Sequence, residues 1–293
     1  MVRKLIDKLR LRYWHLGFAI FDEKVITGEK HLNVRFVKGI PRKKWYADPF
    51  ILQLTERTIE VLVEEFTYSI GRGRIARLSI DRKTLKLLSE TLILDLPTHL
   101  SFPAIYRENN NIYIYPENSA SGCNIMYEYD IIKNSLKKRL VTVTEPVTDA
   151  IIININADRY MLATAIPEDN SNHLIIFKDN GQFHFEKYQD YFFDKKVARN
   201  AGDVLSINGS YYKVSQDCTK NYGGGVIFHK IGFNEKGFTF HEVSEIYHFS
   251  GTFALHTFNE YEGMCVIDVL KPRHPFIDSL FSYISNEFLK KRK

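Results

Sequence analysis

The chain has 293 residues, 44% of them hydrophobic and 14% aromatic, which is enough to pack a core and excludes a disordered chain. Forty basic against 35 acidic residues leave a formal net charge of +5, too weak and too scattered for a nucleic-acid surface. Three cysteines far apart, Cys123, Cys218 and Cys265, with no C-x-x-C pair argue against a zinc site or a disulfide framework. With no apolar run of the roughly 18–20 residues that a spanning helix needs and no secretory pattern at the start, the expected location is the cytoplasm.

Val2 to Arg12 interleave Arg and Lys with Val2, Leu5, Ile6 and Leu9, a basic amphipathic face at helical spacing. It reads either as a surface helix packed on the domain or as a contact with anionic headgroups, peripheral to the inner face of a membrane. Trp14 to Phe21 is apolar nearly throughout and reads as a strand able to close a ring by pairing with the last repeat.

The organising stretch follows: Trp45-Tyr46-Ala47-Asp48-Pro49-Phe50-Ile51-Leu52, a carboxylate before proline at the mouth of an apolar strand. Altered copies recur at Phe102-Pro103-Ala104, Asp149-Ala150-Ile151, Ala201-Gly202-Asp203 and Leu255-His256-Thr257. The spacings are 55, 46, 53 and 53 residues (48 to 103, 103 to 149, 149 to 202, 202 to 255). Each leads into an apolar run, a polar turn and a second apolar run, as in Val204-Leu205, Asn208-Gly209-Ser210 and Tyr211 to Gln216. Repeats near 50 residues built of strand hairpins predict a five-bladed β-propeller, an all-β fold with short helical extensions at both ends. The expected division is residues 1–44 for the basic segment and closing strand, 45–270 for the propeller and 271–293 for a basic amphipathic helix. That tail carries Ile277, Leu280, Phe281, Ile284 and Phe288 on one face, suited to docking on the domain, a membrane surface or a partner protein.

In a propeller the innermost strands converge on one channel, so residues at the repeat starts meet although they are distant in sequence. The ring expected here draws on Asp48, Asp149 and His256, with Glu117, Arg199, Asn200, Gln216 and Asp217 from neighbouring strand ends and His99 and Tyr222 from flanking loops. Glu64 and Glu65 are adjacent on one strand and must point to opposite faces; Glu65 is taken as the one facing the site. Two or three carboxylates at a concave mouth are the equipment of glycosidic chemistry, which makes Asp48, Asp149 and Glu117 the candidate catalytic residues. The arginine and amides suit sugar hydroxyls or a phosphate. Each residue also has a plainer role open to it: Asp48 bonding turn amides, Glu117 ending a strand, His256 as a satisfied core histidine, and Asp217 and Asp268 capping turns. Gly71-Arg72-Gly73 resembles a phosphate loop only superficially, because no helix follows it. No cofactor is expected; a divalent cation among Asp48, Asp149 and Glu117 fits on charge but has no ligand-loop spacing behind it.

Taken in order, W-Y-A-D-P-F, E-E-F with G-R-G-R-I-A, H-L-S-F-P with Y-P-E-N-S, T-D-A, A-R-N-A-G-D with Q-D-C-x-x-x-Y-G, and G-T-x-x-L-H-T resemble the propeller region of plant glucosamine inositolphosphorylceramide transferases and of bacterial polysaccharide-cluster proteins, over residues 45–270. That region is in turn similar to the five-bladed catalytic domains of glycoside hydrolase families 43 and 32. The resemblance implies a general base at Asp48 and a tuning carboxylate at Asp149. Where those hydrolases carry a general-acid Glu, this chain has Arg199-Asn200-Ala201-Gly202, so hydrolysis needs Glu117 or Asp217 as a substitute donor. The expectation is glycosyl transfer from a sugar nucleotide, or action on a glycan, in surface polysaccharide assembly. The alternatives are a hydrolase with a displaced acid and a non-catalytic scaffold docking a separate glycosyltransferase.

Overall fold

A computed structural model describes residues 12–273 of the chain. The repeats fold as five antiparallel four-stranded sheets arranged as the blades of a propeller. Blade one is Lys44–Leu54, Thr58–Thr67, Gly73–Asp81 and Leu87–Leu94, one strand longer than the sequence reading to Asp81. Blade two is Ser101–Glu108, Asn111–Glu117, Asn124–Asp130 and Ser135–Val143. Blade three is Val147–Ile155, Asp158–Ala165, His173–Asp179 and Phe185–Phe192, and blade four is Leu205–Ile207, Ser210–Gln216, Gly225–Asn234 and Gly237–Tyr247.

Blade five joins the two ends of the chain. Its inner strands are Ala254–Tyr261 and Met264–Pro272, and its outer ones Arg12–Ile20 and Arg35–Phe36. Arg12–Ile20 pairs antiparallel with Met264–Pro272 over its whole length, from Arg12 opposite Pro272 to Ile20 opposite Met264. Closure of this kind removes the exposed edge that an open ring would leave. Arg12, assigned in the sequence to a helical start, therefore begins a strand, and Lys271 and Pro272 end one. The remaining helical expectations, residues 2–11 and 276–288, lie outside the described residues.

Inner strands carry long apolar runs because both of their faces are covered by neighbouring blades. Between blades one and two, Phe50 meets Phe102 edge-on with centroids 5.0 Å apart; between four and five, Phe228 meets Phe258 at 5.2 Å. Outer strands alternate instead, as in Gly237–Tyr247, where exposed and half-buried positions interleave toward the end. The ring thus has an aromatic-rich packing between blades, crossed by a few side-chain ties such as Arg107 to the Ile51 and Leu52 carbonyls.

Candidate functional site

Four of the five repeat starts are β-bulges, which turn the side chains of Asp48 and Asp149 out of their strands toward the channel. The ladder slips between Ala47 and Phe50, between Ser101 and Ala104, between Thr148 and Ile151, and between Leu255 and Thr257. Asp48, Phe102 and Asp149 sit in these bulges with φ of 48°, 43° and 45°, a left-handed conformation that costs about 1–2 kcal/mol for a residue with a side chain. Proline follows at positions 49 and 103 because a bulge is where a strand can lack an amide donor. The Asp48 carboxylate also accepts the Phe102 amide at 3.1 Å, which ties one bulge to the next. Blade four reaches the channel differently: a Cβ on Gly202 would lie 2.0 Å from the Phe258 carbonyl oxygen, so the chain passes too close to blade five for any side chain there.

On the side of blades one and five, Asp48, His256 and Asp268 form one buried chain. His256 Nε2 is 3.2 Å from Asp48 and its Nδ1 is 2.7 Å from Asp268. Asp268 accepts in addition the amides of Asp48 at 2.8 Å and Thr257 at 3.0 Å. Trp14, from the closing strand, stacks on the His256 ring at 3.9 Å, and Tyr222 meets it edge-on at 5.5 Å. Burial pushes the Asp48 carboxyl up to about 7, against the pull of His256 and with the push of Asp268 and Asp149. The two flanking carboxylates outweigh burial at His256 and raise its imidazole above the ordinary range. The donor atoms of these three residues lie within 4.8 Å of one another, close enough for a cation. Asp268, however, already accepts three hydrogen bonds and both ring nitrogens face carboxylates, so the set is complete as a proton-sharing chain.

On the side of blades three and four a carboxylate in the same bulge is paired with a fixed cation. Arg199 Nε donates to Asp149 at 2.6 Å and Nη1 donates to Asp169 at 2.7 Å and to Asn170 at 3.2 Å. Burial raises the Asp149 carboxyl and the Arg199 charge opposes it, while Asp149 and Asp169 hold the guanidinium firmly protonated. Gln216 Nε2 donates to Asp149 at 3.2 Å and to the Asn200 carbonyl at 3.1 Å. Asn200 Nδ2 donates to the carbonyls of Asp149 and Leu162 at 2.7 and 2.8 Å.

Between the two walls lies a cavity of about 220 Å³, lined by Asp48, Glu64, Glu117, Asp169, Arg199 and Tyr222 among others. Tyr222 is half exposed at its edge, 46% accessible, under the Arg199 guanidinium at 5.2 Å. Glu117 also faces the cavity, accepting from the Ser101 hydroxyl at 3.0 Å and the Ser119 amide at 2.8 Å. The volume suits one or two sugar-sized rings, and the lining is almost wholly polar.

A family model described as "Glucosamine inositolphosphorylceramide transferase 1, N-terminal" matches residues 34–264. The chain belongs to this family. Curated relatives named glucosamine inositolphosphorylceramide transferase 1 include one from Arabidopsis thaliana, 29% identical over 203 residues, and one from Oryza sativa subsp. indica, 27% identical over 203 residues. Those matches cover 66% of this chain and 26% and 27% of the relatives, so the chain spans about a quarter of their length. Among solved structures, an exo-β-1,3-galactanase from Phanerochaete chrysosporium superposes with a TM-score of 0.54 at 8% identity, over 72% of this chain and 54% of that one. A β-xylosidase/α-arabinofuranosidase of glycoside hydrolase family 43 from a compost metagenome gives 0.52 at 13%, over 77% and 89%. These similarities are to the propeller fold.

Several expected binding residues stand elsewhere in this family member. Glu65 points away from the cavity, pairing with Lys44 at 2.9 Å and Arg74 at 2.8 Å; its neighbour Glu64 faces inward. Asn200 and Gln216 are fully buried behind Asp149 and hold it rather than a ligand. His256 lies behind Asp48 rather than on the lining. Asp217 caps a turn through the Thr219 amide at 2.9 Å, whereas Asp268, read as a turn cap, is at the centre of the buried chain. His99, Glu117, Arg199 and Tyr222 line the cavity with Asp48. Asp149 sits one layer deeper, under Arg199. Asp169, Ser101 and Thr148 also line it and were not singled out. For Ser101 and Thr148 the signal was present, since each directly precedes a bulge residue. Asp169 arrives on a loop outside the repeat.

Proposed function

We propose that the channel mouth is a carbohydrate site and that the chain is a carbohydrate-active propeller working at an anomeric carbon, in glycosyl transfer during glycoconjugate assembly. The observation that carries this reading is Asp48: a carboxyl held near neutrality, fixed by the His256 and Asp268 chain and open to a polar cavity beside a second, charge-paired carboxylate. A base poised near the working pH is the one best able to take a proton from an attacking hydroxyl. Asp48 accepts the proton of the acceptor hydroxyl. Arg199, with Nη2 making no hydrogen bond to the described residues, directs positive charge and a hydrogen-bond donor at an oxygen of the bound sugar. Asp149 fixes that guanidinium. Membership of a family named for a glucosamine transferase supports transfer over a purely structural role.

The hydrolase reading is favoured by one observation, the carboxyl of Glu64 in the same cavity. Incubation with a panel of nucleotide sugars and of glycosides, each with and without sugar acceptors, separates the outcomes. Transfer product supports the proposal and free sugar alone replaces it with hydrolysis. Saturable binding without turnover leaves a glycan-binding scaffold.

A further inference from the structure

We infer that Glu64 donates the proton to the oxygen leaving the anomeric carbon, and therefore that the sugar donor is a glycoside whose leaving group is an alcohol. The inference rests on the carbohydrate reading of the mouth and deepens it by naming the donor class.

Glu64 lines the cavity with a side chain 6% exposed, and its buried Oε1 has no hydrogen-bond partner among the described residues. A buried carboxylate is costly when unpaired, and no cation compensates this one. The charges that act on it are instead acidic: Asp48 and Glu117 on the cavity lining, with Asp149 and Asp268 deeper behind them. Burial first, and then these four carboxylates, raise the Glu64 carboxyl well above its ordinary range, so it carries a proton where its neighbours are ionised. Arg199 and His256 are paired with Asp149, Asp48 and Asp268 and make no hydrogen bond to Glu64. The remaining neighbour is His99, whose Nε2 lies 3.3 Å from Oε1 but out of line for a hydrogen bond. Its Nδ1 accepts the Gly73 amide at 2.9 Å, which leaves the ring proton on Nε2. Burial, opposed by Glu117 and helped by Arg72, lowers the His99 imidazole, which favours the neutral ring. His99 is also 47% exposed, a route by which solvent can restore the Glu64 proton.

Gly73 makes the placement possible: a Cβ there would lie 2.5 Å from Glu64 Oε1 and 2.3 Å from the Leu100 carbonyl. The two other acids weighed for the role are engaged. Glu117 accepts a hydrogen bond on each oxygen, and Asp217 caps its turn.

In the step, the Glu64 O–H bond breaks and its proton passes to the glycosidic oxygen. The bond from C1 to that oxygen breaks with its electron pair going to the oxygen, which leaves as an alcohol. A new bond forms from C1 to the oxygen of the acceptor hydroxyl or water, whose proton goes to Asp48. Glu64, left as a carboxylate, is reprotonated from solvent.

The test compares wild type with Glu64→Gln on matched methyl glycosides, 2,4-dinitrophenyl glycosides and nucleoside diphosphate sugars. A general acid is worth about 10²–10⁴-fold only where the leaving oxygen is basic. The expected result is at least about a 10²-fold loss on methyl glycosides and less than about threefold on dinitrophenyl glycosides. A Glu64→Asp variant, which retracts the carboxyl by one methylene, should show the same selectivity should the amide variant fold poorly. In parallel, infrared spectra with ¹³C-labelled glutamate should show a protonated carboxyl at pH 7.5 in wild type that is missing from the variant. Equal loss on all leaving groups, or no such band, overturns the inference. Wild type that uses only nucleoside diphosphate sugars, with Glu64→Gln unimpaired, also overturns it while leaving glycosyl transfer standing. Wild type inert toward every sugar probe overturns the carbohydrate reading itself.

Discussion

The two walls of the mouth are built by the same device and end with opposite electrostatics. Asp48 and Asp149 occupy equivalent bulges with φ within 3° of each other, yet one faces a histidine and the other an arginine. The wall of blades three and four is a locked charge pair, since Arg199 keeps its proton at any working pH. The wall of blades one and five sets a histidine between two carboxylates, one of which, Asp48, burial raises to about 7. Two identical side chains in identical backbone settings are thereby given different tasks by what stands behind them, one mobile in its proton and one fixed in its charge.

The largest expected effect is on the titrating wall. Asp48→Asn keeps the shape and removes the base, and should lower turnover by about 10²–10⁴-fold while the melting temperature holds; unchanged turnover would remove Asp48 from the chemistry. On the locked wall, Arg199→Met should act on stability first. It strands Asp149 and Asp169, and breaking a buried pair in this way costs about 3–5 kcal/mol, readable in urea unfolding. A loss of turnover with stability intact would erase the contrast between the walls.

Next in size is pH. Asp48, raised from 3.8 to about 7, and His256, raised above 6.5, bind protons more tightly folded than unfolded. Stability from Asp48 is therefore fully present below about pH 4 and is lost as pH rises through 7; that from His256 is present below 6.5 and lost as pH rises through its higher folded value. Melting across pH 4–8 should fall by an amount on the order of a few kcal/mol in wild type. Asp48→Asn should lessen the slope between pH 4 and 7 without abolishing it, since burial raises Glu64 and Asp203 as well; an unaltered slope in the variant would show that the proton is held elsewhere. The smallest effect is expected of Asp217→Ala, outside both walls. It should change stability by no more than about 0.5 kcal/mol and leave turnover alone; a loss of sugar turnover there would extend the site beyond the cavity.

The ring, its number of blades and the closing strand were legible because spacing and hairpin phrasing survive any local irregularity. The side-chain directions were less so, and Glu64 and Glu65 show why. Alternation says only that the two differ. Which of them faces in is set by register against a partner strand, and that partner slips at Asp48, after pairing Ala47 with Glu64 and Tyr46 with Glu65. Asp268 was hidden for a related reason. An acid in an apolar strand resembles a cap until the amide it accepts, from Asp48, is brought across 220 positions. Asp48 and Asp149 were legible because they stand at repeat openings where the sequence itself marks the bulge, and Arg199 because it precedes the corresponding opening of blade four.

The closing strand has one more consequence. Trp14 joins His256 and Asp268 only when residue 12 reaches residue 272, the contact of longest reach among the described strands and among the slowest kind to form; the hairpin that carries the histidine and the aspartate pairs locally. A nascent or nicked chain that has folded its hairpins without docking the closing strand still lacks the indole that stacks on the His256 ring. The indole cover of the buried histidine is therefore added only when the closing strand docks.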